Sequence, residues 1–206
     1  MLFRPATAQE LDGVMTIIED GRAALARLGI DQWQGGSPNR EMVLEDFAAK
    51  RTMVAVDDDG NLLGTLAFMD TVEPDYSNII WGSWMLDNLA ASEESPSNAA
   101  NAHMDSGPSL GESPDAHSDG CTYATLHRVA VAIDAARKGV GTFMILRSIE
   151  LATSLGLRSV RVDTHEGNIP MQRLLKRCGL HHCCDVEISL PLEQTRKRLG
   201  YEVILP

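Results

Sequence analysis

The chain has 206 residues, 44% of them apolar, and a formal net charge of −11. The charge is uneven: Thr52 to His127 holds thirteen Asp and Glu with no Lys or Arg, whereas residues 128–206 hold eight acids and twelve bases. An acidic middle argues against a broad nucleic-acid surface, which needs a basic face, and no apolar run reaches the roughly 20 residues that span a membrane.

In chain order, Leu2–Arg4 is a short strand. Thr7-Ala8-Gln9-Glu10 has the spacing of a capping box, in which hydroxyl and carboxylate satisfy orphan N–H groups. Leu11, Val14, Met15, Ile18, Leu25 and Leu28 follow at helical period and Gly29 stops the helix. After the loop Gly35–Pro38, Asn39 caps a second helix carrying Met42, Val43, Phe47 and Ala48. Met53–Val56 and Leu62–Met69 are strands joined by the turn Asp57–Asn61, a β-hairpin.

Residues 87–120 change character. They hold seven acids, no bases and three large apolar residues. Such a segment buries too little surface to offset its ordering entropy, so a flexible insertion is expected there, within a single domain spanning residues 1–206. Order returns with a strand over Cys121–Val131, whose alternation places Tyr123, Thr125, His127, Val129 and Val131 on one face. A helix spans Gly139–Leu155, with Met144, Ile145, Ile149 and Leu155 inward, and Gly156 ends it. Ser159–Val162 is a buried strand. Asn168 caps a helix with Pro170 in its first turn and Gly179 as its stop. Strands follow over Leu180–Leu190 and Tyr201–Leu205.

The four cysteines, Cys121, Cys178, Cys183 and Cys184, form no CxxC pair, so reduced thiols are expected. The N-terminus shows no basic n-region followed by an apolar h-region, and a cytoplasmic location is expected. His181-His182-Cys183-Cys184 has the composition of a metal cluster. Adjacent strand residues point to opposite faces, however, so at most two could share a site, and no metal is expected.

The stretch richest in chemistry is Ala136-Arg137-Lys138-Gly139-Val140-Gly141-Thr142, between a strand and a helix. Its glycines let the backbone present N–H groups to an anion, the helix N-terminus adds its dipole, and Arg137 and Lys138 add charge. A phosphate or pyrophosphate is the natural ligand. The spacing fits neither a Walker A loop nor a dinucleotide fingerprint. His127 is the best general-base candidate, since an imidazole titrates near neutrality. A strand histidine of purely structural role is the alternative.

Leu126-His127-Arg128-Val129-Ala130-Val131, then Arg137-Lys138-Gly139-Val140-Gly141, a helix, a strand and Asn168…Gly179-Leu180 resemble the two cofactor motifs of the GNAT N-acetyltransferases. The resemblance covers nearly the whole chain outside 87–120. It implies an α/β (α+β) fold with a mixed, mostly antiparallel central sheet flanked by helices. It implies an acyltransferase that moves the acetyl group of acetyl-CoA to a primary amine by direct attack in a ternary complex, without a metal.

By the family's pattern, the backbone of Val129, Ala130 and Val131 pairs with the pantetheine arm, and residues 136–142 with Asn168 hold the rest of acetyl-CoA. Ala136 stands where the family has Arg or Gln. His127 lies four residues before Val131, where many similar enzymes carry Glu. The tyrosine acid expected seven residues after Asn168 is Leu175; Tyr123 or Cys178 would have to stand in. The acceptor is a small-molecule or peptide amine, with Trp33, Trp81 and Trp84 as candidate walls. The carboxylates of Asp163-Thr164-His165-Glu166 could hold an ammonium or a relay water; the alternative is a polar strand-end loop with a helix-capping role. The acids at Asp57–Asp59 and Asp70–Asp75 lie on the presumed acceptor side. Related folds often form homodimers, and the sequence leaves the oligomeric state open. A CoA-binding module without catalysis is the alternative that Leu175 and Ala136 motivate.

Overall fold

A computed structural model describes residues 1–93, 120–189 and 195–206. The chain builds one eight-stranded sheet with five α-helices among the described residues. In chain order the strands are β1 (Leu2–Pro5), β2 (Thr52–Val56), β3 (Leu62–Met69), β4 (Ile79–Gly82), β5 (Tyr123–Val131), β6 (Ser159–Thr164), β7 (His181–Glu187) and β8 (Lys197–Ile204). The helices are α1 (Leu11–Arg27), α2 (Arg40–Ala48), α3 (Met85–Glu93), α4 (Val140–Ser154) and α5 (Ile169–Arg177). The sheet order is β1-β2-β3-β5-β6-β8-β7-β4. Only β5 and β6 run parallel; every other neighbouring pair is antiparallel. This is the mixed, mostly antiparallel sheet that the resemblance implies.

The sheet is covered on both faces, which explains why β2 reads as a continuous apolar run. Met53 and Ala55 join the core cluster that contains Met144, Ile145 and Leu175 of α4 and α5. Val54 and Val56 join the opposite cluster with Val14 and Ile18 of α1 and Val43 of α2. Local signals set the helix ends. Asn39 accepts from the Met42 N–H at 2.9 Å, a cap that contributes about 1 kcal/mol. Glu10 accepts from the Thr7 N–H at 2.7 Å and is clamped by Arg4, also at 2.7 Å. Gly29, Gly156 and Gly179 all take positive φ just past their helices.

Three expectations change. The first seven residues of the expected insertion, 87–93, continue helix α3; residues 94–119 lie outside the described residues. The N-terminus of α3 is tied to the sheet, because the buried Glu202 accepts from the N–H groups of Met85 and Leu86. Strand β4 has no counterpart in the sequence reading. It is a short, exposed edge strand that exists by pairing with β7. Strand β8 begins at Lys197, four residues earlier than expected.

The parallel pair matters most for the site. β5 and β6 pair only over Tyr123–Thr125 and Ser159–Arg161. Beyond that, β5 stays paired with β3 up to Val131, and β6 with β8 up to Thr164. The two strands therefore part toward their C-terminal ends, where α4 and α5 begin. Open sheets bind ligands at such strand ends. Among the described residues no helix is long and apolar enough to cross a membrane.

Candidate active site

The gap between β5 and β6 opens into a cleft of about 840 Å³, within the size range of small-molecule sites. On the α4/α5 side, Ala136, Arg137, Gly139, Val140, Gly141, Thr142 and Asn168 all line it; Lys138 does not. Arg137 (φ +62°) and Gly139 (φ +85°) both adopt left-handed backbone, which curls the loop into a concavity of N–H groups. The first bond of helix α4 runs from the Phe143 N–H to the Gly139 carbonyl at 2.9 Å, so the N–H groups of Val140, Gly141 and Thr142 precede it. Gly141 packs closely on α5: a Cβ there would stand 3.0 Å from Leu174 Cδ2, so the leucine would have to shift. The Asn168 side chain accepts from the Met171 N–H at 3.2 Å and caps α5 beside the same cleft. Val129, Ala130 and Val131 run along the edge of β5 that faces the gap.

Strand β5 does not alternate as the sequence suggests. Thr65 pairs with Ala130 but Ala67 with His127, so Arg128 and Val129 together oppose Leu66. Arg128 adopts φ +55° in this β-bulge. The extra residue reverses the facing of the residues beyond it. Val129 and Val131 pack with the α4/α5 core, whereas His127 sits on the other face beside Tyr76. Placing His127, Val129 and Val131 on one face was therefore wrong. Arg128 is held by Asp46 of α2 at 2.9 Å. Burial pushes the Asp46 carboxyl up despite that guanidinium.

His127 lies in a cluster of side chains drawn from four elements. Its Nε2 is 2.8 Å from Glu73 Oε2 and its Nδ1 is 3.9 Å from Asp163 Oδ1. Tyr76 donates its hydroxyl to Asp163 Oδ1 at 3.0 Å, and Arg198 Nε stands 4.0 Å from Asp163 Oδ2. Burial raises the Glu73 carboxyl, but the hydrogen bond and charge of the imidazole outweigh it and hold the group below the usual carboxylate range. Burial, reinforced by the Asp163 charge, pushes the Tyr76 phenol well up, so it remains a donor. The imidazole thus lies between two carboxylates, with Nε2 turned to Glu73 and Nδ1 to Asp163.

Glu73, Tyr76 and Arg198 were not singled out by sequence. Glu73 lies in the acidic run 70–75, which was the one available signal. The acids of the hairpin turn do not reach the cleft: Asp57 closes its own turn by accepting from the Asp59 and Asn61 N–H groups. The polar stretch 163–166 divides its roles. Asp163 faces the cleft, while His165 Nδ1 accepts from the Gly167 N–H at 2.9 Å and shapes the turn. Trp33 lines the cleft. Trp84 is buried against Tyr76, and Trp81 lies outside, stacked on His182.

Neither proposed stand-in acid lines the cleft. The Tyr123 hydroxyl accepts from the Glu73 N–H at 3.0 Å, and Cys178 is buried, its thiol pushed up by burial. Leu175 is fully buried in the main core. In the His/Cys run, His182 Nε2 bonds Asp185 at 2.8 Å. No group of three or more His, Cys, Asp or Glu among the described residues could hold a metal ion.

The comparisons point to one class: residues 109–180 match the model of the Acetyltransferase (GNAT) family, and the fold is the one that GNAT-family acetyltransferases share. A GNAT-family acetyltransferase of Streptococcus agalactiae is similar over 100% of this chain and 95% of its own, with 27% identity and a TM-score of 0.72. A ribosomal-protein-alanine N-acetyltransferase of Brucella melitensis shares the fold over 100% of both chains, with 17% identity and a TM-score of 0.61. A spermidine N-acetyltransferase of Vibrio cholerae, solved with CoA and spermine, shares it over 98% of this chain and 94% of its own, with 12% identity and a TM-score of 0.58. Among curated proteins, none matches the sequence.

Proposed function

We propose that the chain is an acetyl-CoA-dependent N-acetyltransferase acting on a primary amine by direct attack in a ternary complex, with His127 as general base. The observation that carries this reading is the position of His127. It stands on one face of the gap between β5 and β6, and the anion-binding loop stands on the other. The residues present fit acetyl-CoA. The N–H groups at the start of α4, with Arg137, suit a pyrophosphate, and the edge of β5 over Val129–Val131 suits an added, strand-like amide chain. A CoA complex of a neighbour with the same fold supports this assignment.

When bound, acetyl-CoA supplies an activated acetyl thioester. The protein's own part is to bring the amine to it deprotonated and oriented. The 3.9 Å between His127 Nδ1 and Asp163 Oδ1 is too long for a direct hydrogen bond. An amine nitrogen placed beside the pair, on the cleft side, can donate to both. The amine proton passes to Nδ1, and the imidazolium so formed is held between the Glu73 and Asp163 carboxylates. Such a positioned base contributes about 10²–10⁴-fold.

Release of free thiol from acetyl-CoA in the presence of an amine panel tests the reading. A chain that binds acetyl-CoA but releases no thiol with any amine would instead be a CoA-binding module. The burial of Leu175 where the family carries its tyrosine acid is the observation that favours this second reading.

A further inference from the structure

The acceptor half of the cleft is built by the C-terminal part of α1 and the loop after it, on the face of β5 opposite the anion loop. That loop is fixed at several points. Arg22 Nε donates to the Trp33 carbonyl at 2.9 Å and Arg22 Nη2 to the Pro38 carbonyl at 2.7 Å. Asp31 accepts from the Thr195 N–H at 2.8 Å and lies 3.6 Å from His165 Nε2. Trp33 itself is held at φ +71°, a conformation that a bulky residue keeps only when its surroundings impose it. Its ring lies over Gly21. A Cβ at Gly21 would stand 2.8 Å from Trp33 Cζ3 and 3.2 Å from Ala130 Cβ.

The chemistry of this half is divided. Leu25, Leu28, Trp33, Pro38 and Met42 supply hydrocarbon and aromatic surface, and no Asp or Glu occurs among the cleft-lining residues between 21 and 42. The carboxylates sit at the other end, on Glu73, Asp75 and Asp163. Asp75 is already bonded by the Ser189 N–H and hydroxyl, at 2.9 and 2.7 Å. The cations near the acceptor end are likewise engaged: Arg128 with Asp46, and Arg198 with the Thr195 and Lys197 carbonyls.

Resting on the acetyltransferase reading, we infer that the acceptor is a monoamine with an apolar, preferably aromatic body. Its ammonium enters between Asp163 and His127, beside Glu73, and its body lies against Trp33, Leu28 and Met42. A second ammonium, as in a polyamine, would meet no carboxylate on this wall, whose polar side chains are the neutral Gln32 and Ser37. A carboxylate beside the amine would face Glu73 and Asp163. In the transfer the N–C bond forms as the C–S bond breaks. The electron pair leaves on the CoA sulfur; of the two protons that the ammonium gives up, one goes to His127 and the other to the leaving thiolate, which departs as the free thiol. Trp33 is the specificity-determining residue, and Gly21 the position that lets its ring lie flat.

The test measures kcat/KM by thiol release from acetyl-CoA with 2-phenylethylamine, spermidine and phenylalanine, and acetyl-CoA binding separately by calorimetry. The expected result is a preference for 2-phenylethylamine of at least about tenfold over each of the others. Trp33→Ala is expected to lower that preference at least about tenfold while acetyl-CoA affinity stays the same; Trp33→Phe retains most of it. Equal or better use of spermidine or phenylalanine overturns the acceptor assignment. So does a Trp33→Ala variant whose kcat/KM falls by the same factor for every amine, since a structural role alone would do that. Failure of acetyl-CoA to bind overturns instead the acetyltransferase reading on which the inference rests.

Discussion

The Nε2 of His127 lies 2.8 Å from the Oε2 of Glu73, across 54 residues of sequence, and this contact sets which ring nitrogen faces the cleft. Replacing Glu73 by Gln keeps a hydrogen-bond partner but removes the charge. We expect kcat to fall about 10–100-fold. Thiol-release turnover measured on both proteins checks this, and an unchanged kcat would show the contact to be structural only.

His127→Ala should lower turnover by at least about 100-fold with little change in acetyl-CoA affinity. Undiminished turnover with an unchanged pH profile would remove His127 as the base.

Gly139 opens α4 at φ +85°, and a Cβ there meets nothing within 4 Å. The cost of a side chain is therefore conformational, about 1–2 kcal/mol. Gly139→Val should lower the melting temperature by a few degrees. It should also raise the KM for acetyl-CoA much more than that for the amine, because it disturbs the anion loop and leaves the acceptor wall intact.

Glu202 is fully buried and accepts from Ser159 Oγ at 2.7 Å, Arg161 Nε at 2.8 Å and the first N–H groups of α3. Arg161 in turn lies over the Tyr123 and Trp84 rings, at 4.1 and 4.7 Å from their centroids. Glu202→Ala would leave a buried guanidinium without this partner, at a cost of about 3–5 kcal/mol. Calorimetric unfolding should show a melting temperature lower by roughly 10 °C.

Arg4 holds the Glu10 carboxyl at about 2, chiefly through its hydrogen bond. A carboxyl depressed in the folded state stabilises above its unfolded value, near 4.3, and that contribution is lost as pH falls toward about 2. The melting temperature of Glu10→Gln should therefore lie a few degrees below the parent at pH 7 and converge with it by about pH 2. A constant offset across that range would show that the charge is not what stabilises the cap.

Much of the scaffold was legible because its signals are local. Asn39 and Asn168 cap the helices they were expected to cap, and Leu62–Met69 is the return strand of the expected hairpin. The glycine loop before α4 was legible for the same reason, since a glycine at positive φ and a helix N-terminus are encoded within a few residues. The acidic stretch 70–75 hinted at Glu73 but could not say which of its carboxylates faces inward.

Periodicity and capping signals thus determined most of the elements and their order, and the resemblance of residues 126–131 and 137–141 to the acetyltransferase motifs determined the class of fold. Only the tertiary structure decided where His127 points. The bulge at Arg128 is a mismatch between β5 and β3, a relation between two strands, so no pattern along β5 alone could reveal it. The edge strand β4 forms because β7 offers it a partner, and the cluster of Glu73, Tyr76, His127, Asp163 and Arg198 forms because strands distant in sequence end together. Helix and strand signals act over a few residues. Register, bulges and buried ion pairs depend on which surfaces meet.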